Sequence, residues 1–138
     1  MKIILSVILI AFTFCSKAQN VDKVIHSDRN VTTLSGGENI NIEKVKDNYF
    51  WFMYGNTNKW VSIHDAPYGS GKSTSRQSYR LYSIKSDVNC INYWTKDDSS
   101  NKIILFKLCE DDARPYIKMS RYASDESTIT KITYFYFD

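Results

Sequence analysis

The stretch at residues 66–74, APYGSGKST, contains residue types that bind phosphate. A nucleotide-binding P-loop needs G-x-x-x-x-G-K-[ST] between a buried strand and a helix whose N-terminal amides donate to the phosphate. Here Ala66 occupies the first glycine position, and the residues after Lys72 (STSRQS) make a poor first helical turn. We therefore predict a solvated loop that binds no nucleotide.

Loops carried on a rigid β scaffold often contact partners. The 66–75 loop is therefore our candidate for a surface that binds another protein, as in an enzyme inhibitor or a secreted effector. The predicted contact residues of this partner loop are Tyr68, Ser70 and Lys72.

Histidines and carboxylates are the other residues that could support chemistry, and the chain has only two histidines. His64 is adjacent to Asp65, but neighbouring residues of a strand point to opposite faces, so adjacency makes no dyad. The acidic pairs lie in predicted turns, and no G-x-S-x-G motif occurs. We therefore expect no catalytic residue, no metal site and no cofactor. An unrecognised hydrolase is the least favoured of the classes left open.

Aromatic residues give a stronger indication of binding, because Phe, Trp and Tyr make up 14% of the chain. Tyr49, Trp51 and Met53 alternate along one predicted strand and therefore share a face. A turn at 56–59 would bring His64 onto that face. Such side chains suit a pocket for an apolar or aromatic-compatible ligand, although ordinary packing of a two-sided sheet produces the same pattern. The predicted ligand-binding residues are Tyr49, Trp51, Met53 and His64.

The opposite face of the same strands is predicted to be the apolar one. This division depends on placing the first of the two turns at Asp47-Asn48. Its predicted members are Val45, Phe50, Phe52, Tyr54, Val61 and Ile63.

These residues must be positioned by strands, because runs rich in Tyr, Phe, Ile, Val and Thr alternate with short polar turns. The predicted strands are 39–46, 49–55, 60–66, 76–85, 88–96, 101–110, 116–124 and 128–137, with a further candidate at 24–34. Short turns join antiparallel neighbours, so about eight strands form a meander. Closing the meander removes its edges, so we expect an all-β up-and-down barrel rather than a two-sheet sandwich.

Two cysteines, Cys90 and Cys109, flank an apolar run, a polar turn and a second apolar run. In a hairpin centred on Ser99-Ser100 they face each other across the ladder, at the separation that a disulfide needs. A four-residue loop at 98–101 places them at a non-hydrogen-bonded pair, where side chains are closer than at a hydrogen-bonded pair. The sequence therefore predicts both the disulfide and this loop length.

The N-terminus, MKIILSVILIAFTFCSKA, has the charged start, short apolar run and small residues of a secretory signal peptide cleaved after Ala18. Bulky Phe14 before Cys15 argues against lipid attachment there. Residues 19–138 then form a single domain with no membrane span, secreted or periplasmic. An N-glycosylation sequon begins at Asn30, and would be used only in a eukaryotic secretory pathway.

The predicted mature chain is nearly neutral, because the formal net charge of the whole chain is +3 and the predicted cleavage removes Lys2 and Lys17. No basic tract of the kind that binds nucleic acid is present. We therefore expect a small exported protein that acts by binding a small molecule or a protein.

Overall fold

The computed structural model describes residues 21–34, 37–55 and 57–138, which form eight antiparallel β-strands. The strands are β1 (Lys23–Leu34), β2 (Asn39–Met53), β3 (Trp60–Pro67), β4 (Ser75–Asp87), β5 (Cys90–Lys96), β6 (Ile103–Cys109), β7 (Tyr116–Tyr122) and β8 (Ile129–Tyr136). Each strand pairs with the next and β8 pairs with β1, so the sheet closes. The predicted up-and-down barrel is confirmed. The predicted signal peptide and Cys15 lie outside the described residues.

The hairpin of β5 and β6 forms as the sequence predicts. Asp97 N donates to Lys102 O at 3.0 Å, which leaves the four-residue loop 98–101 between the strands. Cys90 and Cys109 form the predicted disulfide, with Cα atoms 4.4 Å apart. That separation is typical of a non-hydrogen-bonded antiparallel pair.

The predicted turn at Asp47-Asn48 is wrong, because β2 runs without a break through both residues. The β1–β2 pairing instead jumps from Arg29–Glu43 to Ser27–Asn48, so β2 carries extra residues in a bulge where Lys44 has φ 52°. A bulge absorbs extra residues while the chain keeps its direction. β2 therefore replaces two predicted strands, and β1 supplies the eighth.

The bulge also changes one predicted face. Val45 was grouped with the apolar face, but it lies outside the barrel and is 67% exposed. Phe50, Phe52 and Val61 point inward and have no exposed surface, and Ile63 is also buried. The predicted apolar face thus lines the interior downstream of the bulge, whereas its upstream member Val45 does not.

The middle of the barrel is filled by side chains from all eight strands. Phe50 packs edge-on against Phe135 and Phe106, with ring centroids 4.7 and 6.3 Å apart. Each such buried side chain contributes about 1.5–3 kcal/mol of transfer free energy. The buried core cluster comprises Ile25, Phe50, Phe52, Val61, Ile63, Tyr79, Leu81, Tyr93, Ile104, Phe106, Leu108, Ile117, Met119 and Phe135.

In an up-and-down barrel, every second connection between strands lies at the same end. The β1–β2, β3–β4, β5–β6 and β7–β8 connections therefore share one end, which we call the mouth end. No helix in the described part of the chain is long and apolar enough to cross a membrane.

Candidate functional site

A cavity of about 230 Å³ opens at the mouth end, above the apolar core. We call it the mouth cavity. Its floor is apolar, and its walls carry amides, hydroxyls and charged groups from six of the eight strands. The lining residues are Asn30, Thr32, Lys46, Asn48, Ile63, Asp65, Gln77, Met119, Arg121, Lys131, Thr133 and Phe135.

The cavity arises from a regular change in the inward positions of each strand. Every second residue of a strand faces the interior, and toward the mouth end these residues change from apolar to polar or charged, with charged residues on four strands. The inward series are Phe52, Phe50, Asn48, Lys46 on β2; Val61, Ile63, Asp65 on β3; Leu81, Tyr79, Gln77 on β4; Ile117, Met119, Arg121 on β7; and Phe135, Thr133, Lys131 on β8. The barrel therefore has a dry core and a polar mouth.

Positive charge predominates in the mouth cavity, with three cationic side chains and one carboxylate. Lys46 Nζ lies 3.2 Å from Asp65 Oδ2, which balances one of the cations. Arg121 and Lys131 are directly opposed across the β7–β8 ladder. Directly opposed like charges destabilise a sheet, and among the described residues neither cation forms an ion pair. This wall of the cavity thus has an unbalanced double positive charge.

Two buried polar atoms of the cavity residues lack hydrogen-bond partners. They are Asn48 Nδ2, a donor, and Asp65 Oδ1, an acceptor. Asn48 is 2% exposed. A buried polar group without a partner costs about 1–3 kcal/mol. Both atoms therefore favour a state in which a partner reaches them from the cavity.

Other polar groups of the mouth are held in place by the barrel itself. Thr32 and Thr133 hydroxyls lie 3.0 Å apart across the β1–β8 ladder. Tyr79 OH donates to Gln77 Oε1 at 2.7 Å, and Arg121 Nη2 donates to the same hydroxyl at 3.3 Å. The Arg121 guanidinium has further donors beyond this bond. The cation is therefore positioned before any ligand arrives.

The aromatic residues predicted to bind a ligand lie on the outer surface of β2 and β3. The Trp51 and His64 rings are tilted against each other with centroids 4.3 Å apart, and Tyr49 stacks on His26 at 4.8 Å. Met53 points to the same side but is only 3% exposed. Burial lowers the pKa of His64, and the charge of Arg76 lowers it further. The four residues are brought together as an outer row rather than inside the barrel, and their role in binding stays a prediction.

The predicted partner loop between β3 and β4 is fastened to the barrel wall. Gly69 N donates to Asp47 Oδ2 at 2.9 Å, and His26 Nε2 lies 2.8 Å from Asp47 Oδ1. Gly69 (φ 72°) and Gly71 (φ 64°) adopt the left-handed conformation that glycine permits. The hydrogen bond from His26, together with that from Gly69, lowers the pKa of Asp47. The loop thus has a defined attachment at its base.

Tyr68, Ser70 and Lys72 all lie exposed on this loop, and Tyr68 is 48% exposed. The chain after the loop enters β4 at Ser75. A strand therefore follows the loop, whereas a P-loop requires a helix whose N-terminal amides bind the phosphate.

Asn30, the acceptor of the glycosylation sequon, faces the mouth cavity and is 4% exposed. A glycan on its side chain would therefore have to occupy the mouth cavity. The acceptor residue of the sequon therefore lines the mouth cavity, and the motif alone does not indicate this.

The mouth cavity was missed in the sequence because inward and outward positions of β2 could not be assigned across the bulge. One signal was present: several strands end in an amide or charged residue two positions beyond a large apolar one, as in Phe52, Phe50 and Asn48 along the inward face of β2. Without the register, such residues are indistinguishable from solvated strand ends.

Fold and cavity together define a filled eight-stranded up-and-down barrel with a polar, cationic opening at one end. No protein-family model matches the sequence, and no curated protein shows significant similarity to it. The chemistry of the mouth cavity therefore carries the functional proposal.

Proposed function

We propose that this protein is an extracytoplasmic binding protein that holds a small carboxylate-bearing molecule in the mouth cavity. The observation that carries the proposal is the pair of opposed cations, Arg121 and Lys131, at a cavity that also contains the buried, unpartnered Asn48 Nδ2. A carboxylate accepts hydrogen bonds at both oxygens and relieves the repulsion between the cations.

The size and polarity of the cavity define the ligand further. Its volume of about 230 Å³ lies below the 300–1,000 Å³ that is typical of pockets for drug-sized molecules. Phe50 and Phe106 fill the barrel beneath it, so a long apolar ligand has no room to enter. The ligand is therefore small and polar.

Two features support an extracytoplasmic location. The Cys90–Cys109 disulfide is typical of proteins that fold in an oxidising compartment. The N-terminal sequence has the pattern of a secretory signal peptide.

The proposal is tested by calorimetric titration with cyclohexanecarboxylate and succinate. We expect binding that weakens as ionic strength rises, because salt screens the attraction between the cations and the carboxylate. Arg121→Gln should weaken binding at least about tenfold, which corresponds to the loss of one charge-assisted hydrogen bond. Arg114→Gln is the matched control, because Arg114 lies exposed in the β6–β7 connection at the opposite end.

Equal losses in the two arginine variants would contradict the proposal. So would the absence of binding for every carboxylate tested, at millimolar concentration and low salt.

A second candidate function is protein recognition by the partner loop. The filled core and the fastening of Gly69 to Asp47 favour it, because they give an ordered loop on a rigid support. In that case Tyr68→Ala should abolish binding of the partner protein while leaving carboxylate binding unchanged. Loss of carboxylate binding in Tyr68→Ala would join the loop to the cavity as one site.

A further inference from the structure

Asn48 and Asp65 are direct partners across the β2–β3 ladder, and both line the mouth cavity. Asn48 Nδ2 and Asp65 Oδ1 are both buried, and neither has a hydrogen-bond partner. Two neighbouring residues thus present an unused donor and an unused acceptor at the same level of the barrel.

The other oxygen of Asp65 is already occupied. Lys46 Nζ lies 3.2 Å from Asp65 Oδ2, and a carboxylate oxygen accepts hydrogen bonds. The amide nitrogen of Asn48 can only donate. A single group that satisfies both atoms must accept one hydrogen bond and donate another.

A hydroxyl meets this requirement. A carboxylate only accepts and an ammonium only donates, so each would satisfy one atom and leave the other without a partner. We propose that the ligand of the mouth cavity is a hydroxylated carboxylate of the sugar-acid class, with one hydroxyl between Asn48 and Asp65. This inference rests on the proposed function and adds the hydroxyl to it.

The arrangement of the strands separates the two ends of such a ligand. In an eight-stranded barrel β3 and β7 lie diametrically opposite each other, so Asp65 and Arg121 stand on opposite walls. A ligand with its hydroxyl toward β2 and β3 directs its carboxylate toward Arg121 and Lys131. The cavity holds the volume of about seven or eight water molecules at about 30 Å³ each, which suits one small ring.

The competing explanation is that no ligand is needed, because Asn48 Nδ2 and Asp65 Oδ1 bond to each other after a small side-chain rotation or are bridged by one buried water. In that case the pair is already satisfied in the free protein, and a ligand hydroxyl gains nothing. The two explanations therefore differ in whether the protein distinguishes a hydroxylated ring from a plain one.

The experiment is a calorimetric titration of the full mature protein with three probes of similar ring size. D-glucuronate has hydroxyls and a carboxylate, cyclohexanecarboxylate has only the carboxylate, and D-glucose has hydroxyls without a carboxylate. We expect D-glucuronate to bind at least about tenfold more tightly than either of the others, because each lacks one set of hydrogen bonds.

Asn48→Leu, of similar size, should remove the preference for D-glucuronate over cyclohexanecarboxylate while binding of the latter persists. Asn92→Leu is the matched control, since Asn92 lies on β5 outside the mouth cavity, and it should keep the preference. If Asn48→Leu does not fold, the three probes on the wild-type protein still decide the question.

Equal affinity of the wild-type protein for D-glucuronate and cyclohexanecarboxylate would overturn the hydroxyl inference and leave the proposed function standing. Binding of D-glucose as tight as that of D-glucuronate would instead overturn the carboxylate requirement. Binding of none of the three would overturn both.

Discussion

Cys90 and Cys109 lie directly opposite each other at the end of the β5–β6 ladder, 19 positions apart in sequence and 4.4 Å apart at their Cα atoms. Loss of the bridge in Cys90→Ser/Cys109→Ser should cost about 2–3 kcal/mol of unfolding free energy, because the unfolded chain regains the entropy of an open loop and the hairpin turn limits that gain. Thermal melts should show a decrease of about 10 °C.

The control for this prediction is the wild-type protein melted after full reduction, which should behave like the double variant. Non-reducing peptide mapping should recover one fragment that contains both cysteines. Two free thiols in protein purified without reductant, or an unchanged melting temperature in the double variant, would contradict it.

The Asp47 carboxylate joins the partner loop to His26 on the barrel wall. Asp47→Asn should destabilise the protein by about 1–3 kcal/mol, because two hydrogen bonds to a buried charged group are weakened. Hydrogen exchange at the Gly69 amide should accelerate, whereas amides of β5 and β6 should keep their protection. Unchanged exchange at Gly69 would show that the loop is held by other contacts.

The same carboxylate makes a defined contribution to the pH dependence of stability. Its hydrogen bonds lower its pKa in the folded state below the ordinary 3.8. The folded state therefore gains stability from ionised Asp47 above pH 3.8, and loses it as the pH falls through the lowered value. The contribution of Asp47 to the difference in unfolding free energy between the wild-type protein and Asp47→Asn should be constant from pH 5 to pH 7. This contribution should shrink in more acidic solution.

Lys72 tests the absence of nucleotide binding. Lys72→Ala should change the unfolding free energy by less than about 0.5 kcal/mol, as expected of an exposed loop residue. Phe106→Ala, at a fully buried position, should cost about 3–5 kcal/mol in the same assay. Thermal stabilisation by ATP that disappears in Lys72→Ala would contradict the prediction.

The features of the fold that local patterns determine were predictable. The hairpin of β5 and β6 follows from two apolar runs around a polar turn, and the cysteines fix its register. Closure of the meander follows from the number of strands and the short connections. The bulge near Lys44 was not predictable, because polar residues at Asp47-Asn48 resemble a turn. Pairing with β3, and at Asn48 also with β1, keeps them in a strand.

The candidate site was harder to predict from the sequence than the fold, because it too depends on the register between strands. Asn48 and Asp65 became neighbours only through the β2–β3 register, and Arg121 and Lys131 only through the β7–β8 register. A shift of one residue would turn each of these side chains to the other side of the sheet. Aromatic residues such as Trp51 were easier to notice, although the structure places them on the outer wall.

The most direct test of the mouth cavity as a binding site is an NMR titration that observes the side-chain amide of Asn48 and the guanidinium of Arg121. On addition of D-glucuronate, we predict that both signals shift along one saturable curve, while the outer-row signals of Trp51 and His64 stay in place. Saturable shifts confined to the outer row, with Asn48 and Arg121 unchanged, would contradict the account.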